Sequence, residues 1–180
     1  YKIAGMVSGA LIPLLFGLKL NSLEIVMNNQ IVLYLLTFIW IYGMINAFNF
    51  MDGIDGLMGG LAVIFSFFIM IAALMSGNNF VVLGSLLLAG ICLGFLFFNY
   101  NPASIFMGDA GSMFLGYNFA LLSILVVNRS GNYIPIYVFV LLFAIIIYDA
   151  MVTFVRRGLE GKNVFHAHRE HLYQRLVIMG

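Results

Sequence analysis

Long apolar runs broken by short polar interruptions make up the chain, and the interruptions hold nearly all of its chemistry. Apolar segments cover residues 3–18, 31–48, 57–75, 80–98, 113–127 and 133–155. Each approaches the about 20 residues that one helical crossing of a bilayer requires. The fifth is short for a crossing and is expected to extend at either end. Turn signals, Ser76-Gly77-Asn78-Asn79 and 128–132, separate neighbouring runs. Between Asp55 and Asp109 no charged residue occurs at all. The pattern predicts an all-α fold, a polytopic transmembrane helical bundle of about six spans. It is expected to form one domain over residues 1–180, without linker, low-complexity segment or tandem repeat.

Composition sharpens this reading. Hydrophobic residues make up 63% of the chain and charged ones 8%, against about 25% charged in a soluble domain. The net charge of +1 gives no reason to expect a nucleic-acid partner; the bilayer itself is the expected surroundings. The single cysteine, Cys92, lies in an apolar run, which excludes an intrachain disulfide and points to an inert core thiol. The chain opens on Tyr1 without a signal-peptide pattern and closes on an apolar run, so it is expected to be a segment of a longer protein.

Alternation of the spans gives orientation. The polar stretches after the second, fourth and sixth spans fall on one membrane face. Lys2, Arg156, Arg157, Lys162, Arg169 and Arg175 fall there too, against Lys19 and Arg129 on the other. This excess of positive charge assigns that face to the cytoplasm.

The stretch 46–57 organises the rest. Asn46, Asn49, Asp52 and Asp55 are spaced three apart within oily sequence, where uncompensated charge is expensive. Gly53 and Gly56 favour a helix end that unwinds into a short loop. Oxygen donors of carboxylate and amide type suit Mg²⁺ or Mn²⁺ rather than Zn²⁺; the bland alternative is a polar loop between spans. In Phe106-Met-Gly-Asp-Ala-Gly-Ser112, Asp109 is a candidate metal ligand or a capping residue, and Ser112 a candidate N-cap with helix-start amides that attract phosphate. Phe106 is a base-stacking aromatic or an interfacial one. The last loop carries His166, His168, Arg169, His171 and Arg175. Arginines beside histidines without thiolates fit a diphosphate better than zinc, or a headgroup anchor. Arg156 and Arg157 read mainly as that anchor, and Asp149 as a member of a structural ion pair.

Together these segments resemble the polyprenyl-phosphate N-acetylhexosamine-1-phosphate transferases, glycosyltransferase family 4. The likeness rests on N-x-x-N-x-x-D-G-x-D-G-L over 46–57, F-M-G-D-x-G-S over 106–112, Asp149 with Arg156-Arg157, and His168-Arg-x-His171. The resemblance implies transfer of a sugar 1-phosphate from a UDP-N-acetylhexosamine to undecaprenyl or another polyprenyl phosphate, with release of UMP. It implies a bacterial plasma-membrane enzyme facing the cytoplasm, with a second copy of the chain as a candidate partner. By resemblance Asn49 and Asp109 bind the metal, Asp52 and Asp55 are catalytic residues near the nucleotide, and Phe106 stacks on uracil. His168, Arg169 and His171 contact substrate phosphates, His168 and His171 as catalytic residues; Asn46, Gly108 and His166 complete the substrate-binding set. The family's acidic Asp-Asp pair is absent from this chain, so an N-terminal part of the enzyme is expected to be missing. The last loop reads H-R-E-H-L-Y-Q rather than H-x-H-H, which favours surface-polysaccharide initiation such as O-antigen over peptidoglycan. A cation-coupled transporter using Asp52, Asp55, Asp109 and Asp149 is the competing reading; acids at helix ends rather than at mid-span argue against it.

Overall fold

A computed structural model describes residues 2–21, 29–131 and 133–161. Among these, seven helices follow in order: α1 (Lys2–Leu15), α2 (Gln30–Met51), α3 (Leu57–Met75), α4 (Asn79–Asn99), α5 (Gly108–Arg129), α6 (Ile136–Leu142) and α7 (Ala144–Leu159). No strand is present among the described residues. The all-α bundle is as expected. Helices α2 to α5 are each long and apolar enough to cross a membrane.

The first and last spans differ from expectation. Helix α1 has 14 residues, about 21 Å at 1.5 Å per residue, and ends in a turn closed by Gly17 at φ 81°. The run 133–155 is not one rod: α6 and α7 meet at 76° across Phe143. No glycine or proline marks that break. Phe143 is fully buried there, and its ring lies 4.9 Å from Phe65 and 6.0 Å from Phe48 and Phe119 between centroids. The rings of Phe48, Phe65 and Phe119 also touch one another, at 5.4 to 6.0 Å. One aromatic cluster thus ties α2, α3, α5 and the α6–α7 junction together, with rings in tilted and edge-on contacts.

The crossing of α2 and α5 is the closest in the bundle for which a glycine is needed. A Cβ on Gly116 would sit 2.6 Å from the Met44 carbonyl oxygen. Small residues at helix contacts let backbones approach in this way, as membrane helices require in the absence of a hydrophobic drive between them.

Polar contacts sort the helix ends into two groups. The start of α1, the end of α2 and the start of α5 meet through Lys2, Asn49 and Asp109. The start of α3 and the end of α4 meet at Gly56 and Asn99. At the other end, Asn128 of α5 bonds the segment after α1, and Asn78 before α4 bonds α5 at Leu125. The alternation read from the first five apolar runs is therefore that of α1 to α5.

Candidate active site

Helix α2 carries Asn46 and Asn49 on its last turns and ends at Met51, with Asp52 as its C-terminal cap. The chain then turns through Gly53 and reaches Gly56, left-handed at φ 76°, before α3 begins. The expected unwinding at the two glycines is what forms.

Asn49 and Asp109, sixty residues apart, are in direct contact. Asn49 Nδ2 donates to Asp109 Oδ1 at 2.9 Å and to Ser112 Oγ at 3.0 Å. Lys2 Nζ lies 2.8 Å from Asp109 Oδ2. The approach of α2 to α5 at Gly116 explains why: Met44 precedes Asn49 by five residues, Gly116 follows Asp109 by seven, and the helices run in opposite directions. Asp52 joins them from the cap. The Gly108 N–H donates to its carboxylate. Burial holds the Asp52 carboxyl above the usual carboxylate range; the Gly108 N–H opposes that, and the nearby Asp109 charge adds to it.

Helix α5 begins at Gly108, four residues before the expected cap. Ser112 is therefore not the N-cap. It is fully buried one turn inside, where its hydroxyl donates to the Gly108 carbonyl at 3.1 Å and accepts from Asn49. Asp109 lies in the first turn, where helix-start amides favour negative charge, and no side chain caps this helix. Phe106 is 73% exposed just before it and lines an apolar groove with Phe95, Phe114 and Leu115 of α4 and α5; Gly108, at φ 68°, is exposed as well.

Other expected site residues take different places. Asn46 turns back along its own helix, with Nδ2 donating to the Tyr42 carbonyl at 2.8 Å. Asp55 Oδ2 accepts from the Ala103 N–H at 2.9 Å, a bond to the α4–α5 loop. His166, His168, Arg169, His171 and Arg175 lie outside the described residues. Arg157 corrects the anchor reading: it is 6% exposed and shares the buried side of α7 with Asp149 and Thr153, while Arg156 reaches Glu160 at 4.0 Å.

The structure adds one residue to the site. Lys2 reads from sequence only as part of a charge bias, yet it supplies the positive charge on Asp109. The signal available was its position: with the start of α1 on the motif face, a lysine there could reach the motifs. Among the described residues no group of three His, Cys, Asp or Glu side chains could hold a metal ion. The donor set present is two carboxylates, of Asp52 and Asp109, and the amide of Asn49. That set fits Mg²⁺, which keeps several waters and takes one or two carboxylates plus substrate phosphates instead of a full protein cage.

Comparison with known proteins agrees with the geometry. A family model described as glycosyl transferase family 4 matches residues 1–127. A probable undecaprenyl-phosphate N-acetylglucosaminyl 1-phosphate transferase of Bacillus subtilis is 39% identical over 147 residues, 82% of this chain and 41% of that protein. A decaprenyl-phosphate N-acetylglucosaminephosphotransferase of Mycobacterium leprae is 32% identical over 205 aligned positions, 99% of this chain and 52% of its own length. A phospho-N-acetylmuramoyl-pentapeptide-transferase of Symbiobacterium thermophilum is 51% identical over 94 residues, 51% of this chain and 28% of that protein. The chain thus spans about half or less of the length of each of these relatives.

Proposed function

The chain belongs to glycosyl transferase family 4, and from that membership we propose that it carries part of the active site of a multi-pass bacterial membrane enzyme. The enzyme transfers an N-acetylhexosamine 1-phosphate from a UDP-sugar to undecaprenyl or another polyprenyl phosphate and releases UMP. An oxygen of the lipid phosphate bonds to the sugar-bearing phosphorus as the bond from that phosphorus to the UMP phosphate breaks. The observation that carries this reading is the Asn49–Asp109–Ser112 contact, which brings the two glycine-flanked acidic segments to one end of the bundle.

Asn49 and Asp109, with Asp52 beside them, are the residues that would hold Mg²⁺ or Mn²⁺. When bound, the ion supplies charge neutralisation for the diphosphate. The chain's own groups do the rest. Asp109, Asn49 and Ser112 are locked to one another, so the donor oxygens are oriented before substrate arrives. Lys2 offers an ammonium to phosphate oxygens at the same place. Phe106 presents an exposed ring for the uracil face, and Gly108 keeps the backbone low beside it. His166, His168, Arg169 and His171 are proposed to contact the substrate phosphates, with this end of the bundle facing the cytoplasm. An apolar bundle gives the polyprenyl chain a solvent in which its phosphate can reach the site.

The complete protein, incubated with polyprenyl phosphate and a panel of UDP-N-acetylhexosamines, is expected to release UMP and form lipid-linked product only with Mg²⁺ or Mn²⁺ present. Cation flux in proteoliposomes without any UMP would favour the transporter reading instead. The preferred sugar in the same panel separates polysaccharide initiation from peptidoglycan synthesis.

A further inference from the structure

Two loops carry the candidate site: the α2–α3 turn with Asp52, and the α4–α5 loop with Phe106, which leads into Asp109. Their spacing is held by a residue in neither. Asn99 closes α4 and is 6% exposed. Its Oδ1 accepts from the Gly56 N–H at 3.0 Å, and its Nδ2 donates to the Ile105 carbonyl at 2.8 Å. One side-chain amide thus bonds the backbone of both loops, using each of its polar atoms once. A second bond runs parallel to it: Asp55 Oδ2 takes the Ala103 N–H at 2.9 Å. The α4–α5 loop is also folded back on its own helix, with Ser104 N–H and Oγ both donating to the Phe98 carbonyl, at 2.9 and 3.0 Å. Gly56 lies in ordinary contact with this corner: a Cβ there would lie 3.8 Å from the Asn99 carbonyl oxygen and 3.9 Å from Tyr100 Cα.

We infer that Asn99 and Asp55 are positioning residues, a two-bond clasp that fixes the α4–α5 loop against the α2–α3 turn and so sets Phe106 and Asp109 relative to Asp52. The inference rests on the transferase reading for its consequence, and on the four backbone groups for its geometry. An amide is needed at Asn99 because the corner requires one acceptor and one donor on one side chain. At Asp55 only an acceptor is used, so an amide oxygen replaces the carboxylate.

The complete protein tests both halves. Asn99→Asp keeps the acceptor for Gly56 but sets a carboxylate against the Ile105 carbonyl. It is expected to lower kcat/KM for the UDP-sugar in the folded fraction by about a hundredfold, the scale of a small misplacement of reacting groups, together with a lower unfolding midpoint, since a buried carboxylate then faces a carbonyl. Asp55→Ala is expected to lose activity and Asp55→Asn to restore most of it. Nitroxides at Ile54 and Ser104 should show a narrow distance distribution that broadens in Asn99→Asp and in Asn99→Leu. Wild-type kcat/KM with an unbroadened distribution overturns the clasp. A lowered unfolding midpoint with wild-type kcat/KM in the surviving fraction overturns it too, in favour of a merely structural amide. Asp55→Asn as inactive as Asp55→Ala removes Asp55 from the clasp and returns it to the chemistry. If the wild type releases no UMP, the transferase reading fails, while the label distances still decide whether Asn99 holds the loops.

Discussion

The two ends of the bundle are built from similar residues and put them to different use. At the end opposite the acids, the amides and hydroxyls that join one segment to another bond backbone, and Lys19 to Gln30 is a side-chain pair at the surface. Asn128 donates to the Lys19 carbonyl at 2.8 Å and accepts from the Asn21 N–H at 3.0 Å. Asn78 accepts from Val81 N–H and donates to the Leu125 carbonyl, both at 3.3 Å. Thr37 accepts from Leu20 N–H at 3.0 Å and donates to Leu33 at 2.7 Å. At the acidic end, Asp109 bonds only side chains, Lys2 and Asn49, and remains largely exposed. A polar group consumed by backbone completes a fold that has no water to do so. A carboxylate held by other side chains beside a second carboxylate is kept for something else. The same criterion divides the acidic end itself: Asn99 and Asp55 fall with the backbone-closing group, Asn49 and Asp109 outside it, and Asp52, which takes the Gly108 N–H, lies between the two.

The sharpest way to break this comparison is to remove charge at one end without changing shape. Asp109→Asn in the complete protein is expected to lower Mg²⁺-dependent UMP release by at least about a hundredfold, the loss typical of a single preorganised electrostatic group, while membrane insertion persists. Unchanged turnover would end the metal-ligand role. Gly116→Val comes next. Its Cβ would meet the Met44 carbonyl at 2.6 Å, and forcing α2 from α5 should cost about 1–3 kcal/mol as overpacking does. It should also separate Asn49 from Asp109, so the unfolding midpoint and the turnover fall together. Asn128→Leu should cost less, about 1 kcal/mol, from two hydrogen bonds lost to partly exposed backbone groups. It should leave KM and kcat of the folded fraction at wild-type values, because nothing at that end touches the site.

Much of this was legible in sequence for a plain reason: in a bilayer, apolar length fixes α2 to α5, and their alternation fixes which loops can meet. The contact of Asn49 with Asp109 follows from motif spacing plus that alternation. Phe143 shows where legibility stopped. No local residue breaks 133–155; three rings from distant parts of the chain pack on Phe143 there, and packing of that kind has no one-dimensional signature. The start of α5 was hidden because Gly108 and Gly111 look like loop residues, whereas the helix begins at Gly108 with Ser112 already buried under α2. Arg157 read as a surface anchor because arginines usually are; only the tertiary burial of one side of α7 puts it on the same buried side as Asp149.

Burial of the Asp52 carboxyl, with the Asp109 charge a lesser cause, gives stability at the acidic end a pH dependence of definite sign. The Asp52 carboxyl titrates near 3.8 when unfolded and higher when folded. Between those values the folded state binds more protons, so stability falls as pH rises through the window, and the deficit persists at neutral pH. Asp52→Asn keeps an acceptor for the Gly108 N–H and removes the deficit. Its unfolding midpoint should exceed the wild type's at neutral pH and converge with it in acid, even though activity is lost. An equal or lower midpoint at neutral pH would mean that the carboxylate is structural, like the amides of the opposite end.

The smallest effect separates the two roles open to Lys2. Its ion pair with Asp109 has both side chains about half exposed, 45% and 62%, and such pairs are worth about 0–1 kcal/mol. It is therefore a counter-charge that a divalent cation displaces easily. If Lys2 only competes for Asp109, Lys2→Met should lower the Mg²⁺ concentration for half-maximal UMP release by up to about fivefold, the equivalent of 1 kcal/mol or so, with kcat intact. If the freed ammonium then serves the diphosphate, the same variant should gain Mg²⁺ affinity but lose kcat. A Lys2→Arg variant decides between them, since it restores charge with a different hydrogen-bonding fork: recovery of kcat without recovery of the wild-type Mg²⁺ requirement assigns Lys2 to the substrate phosphates.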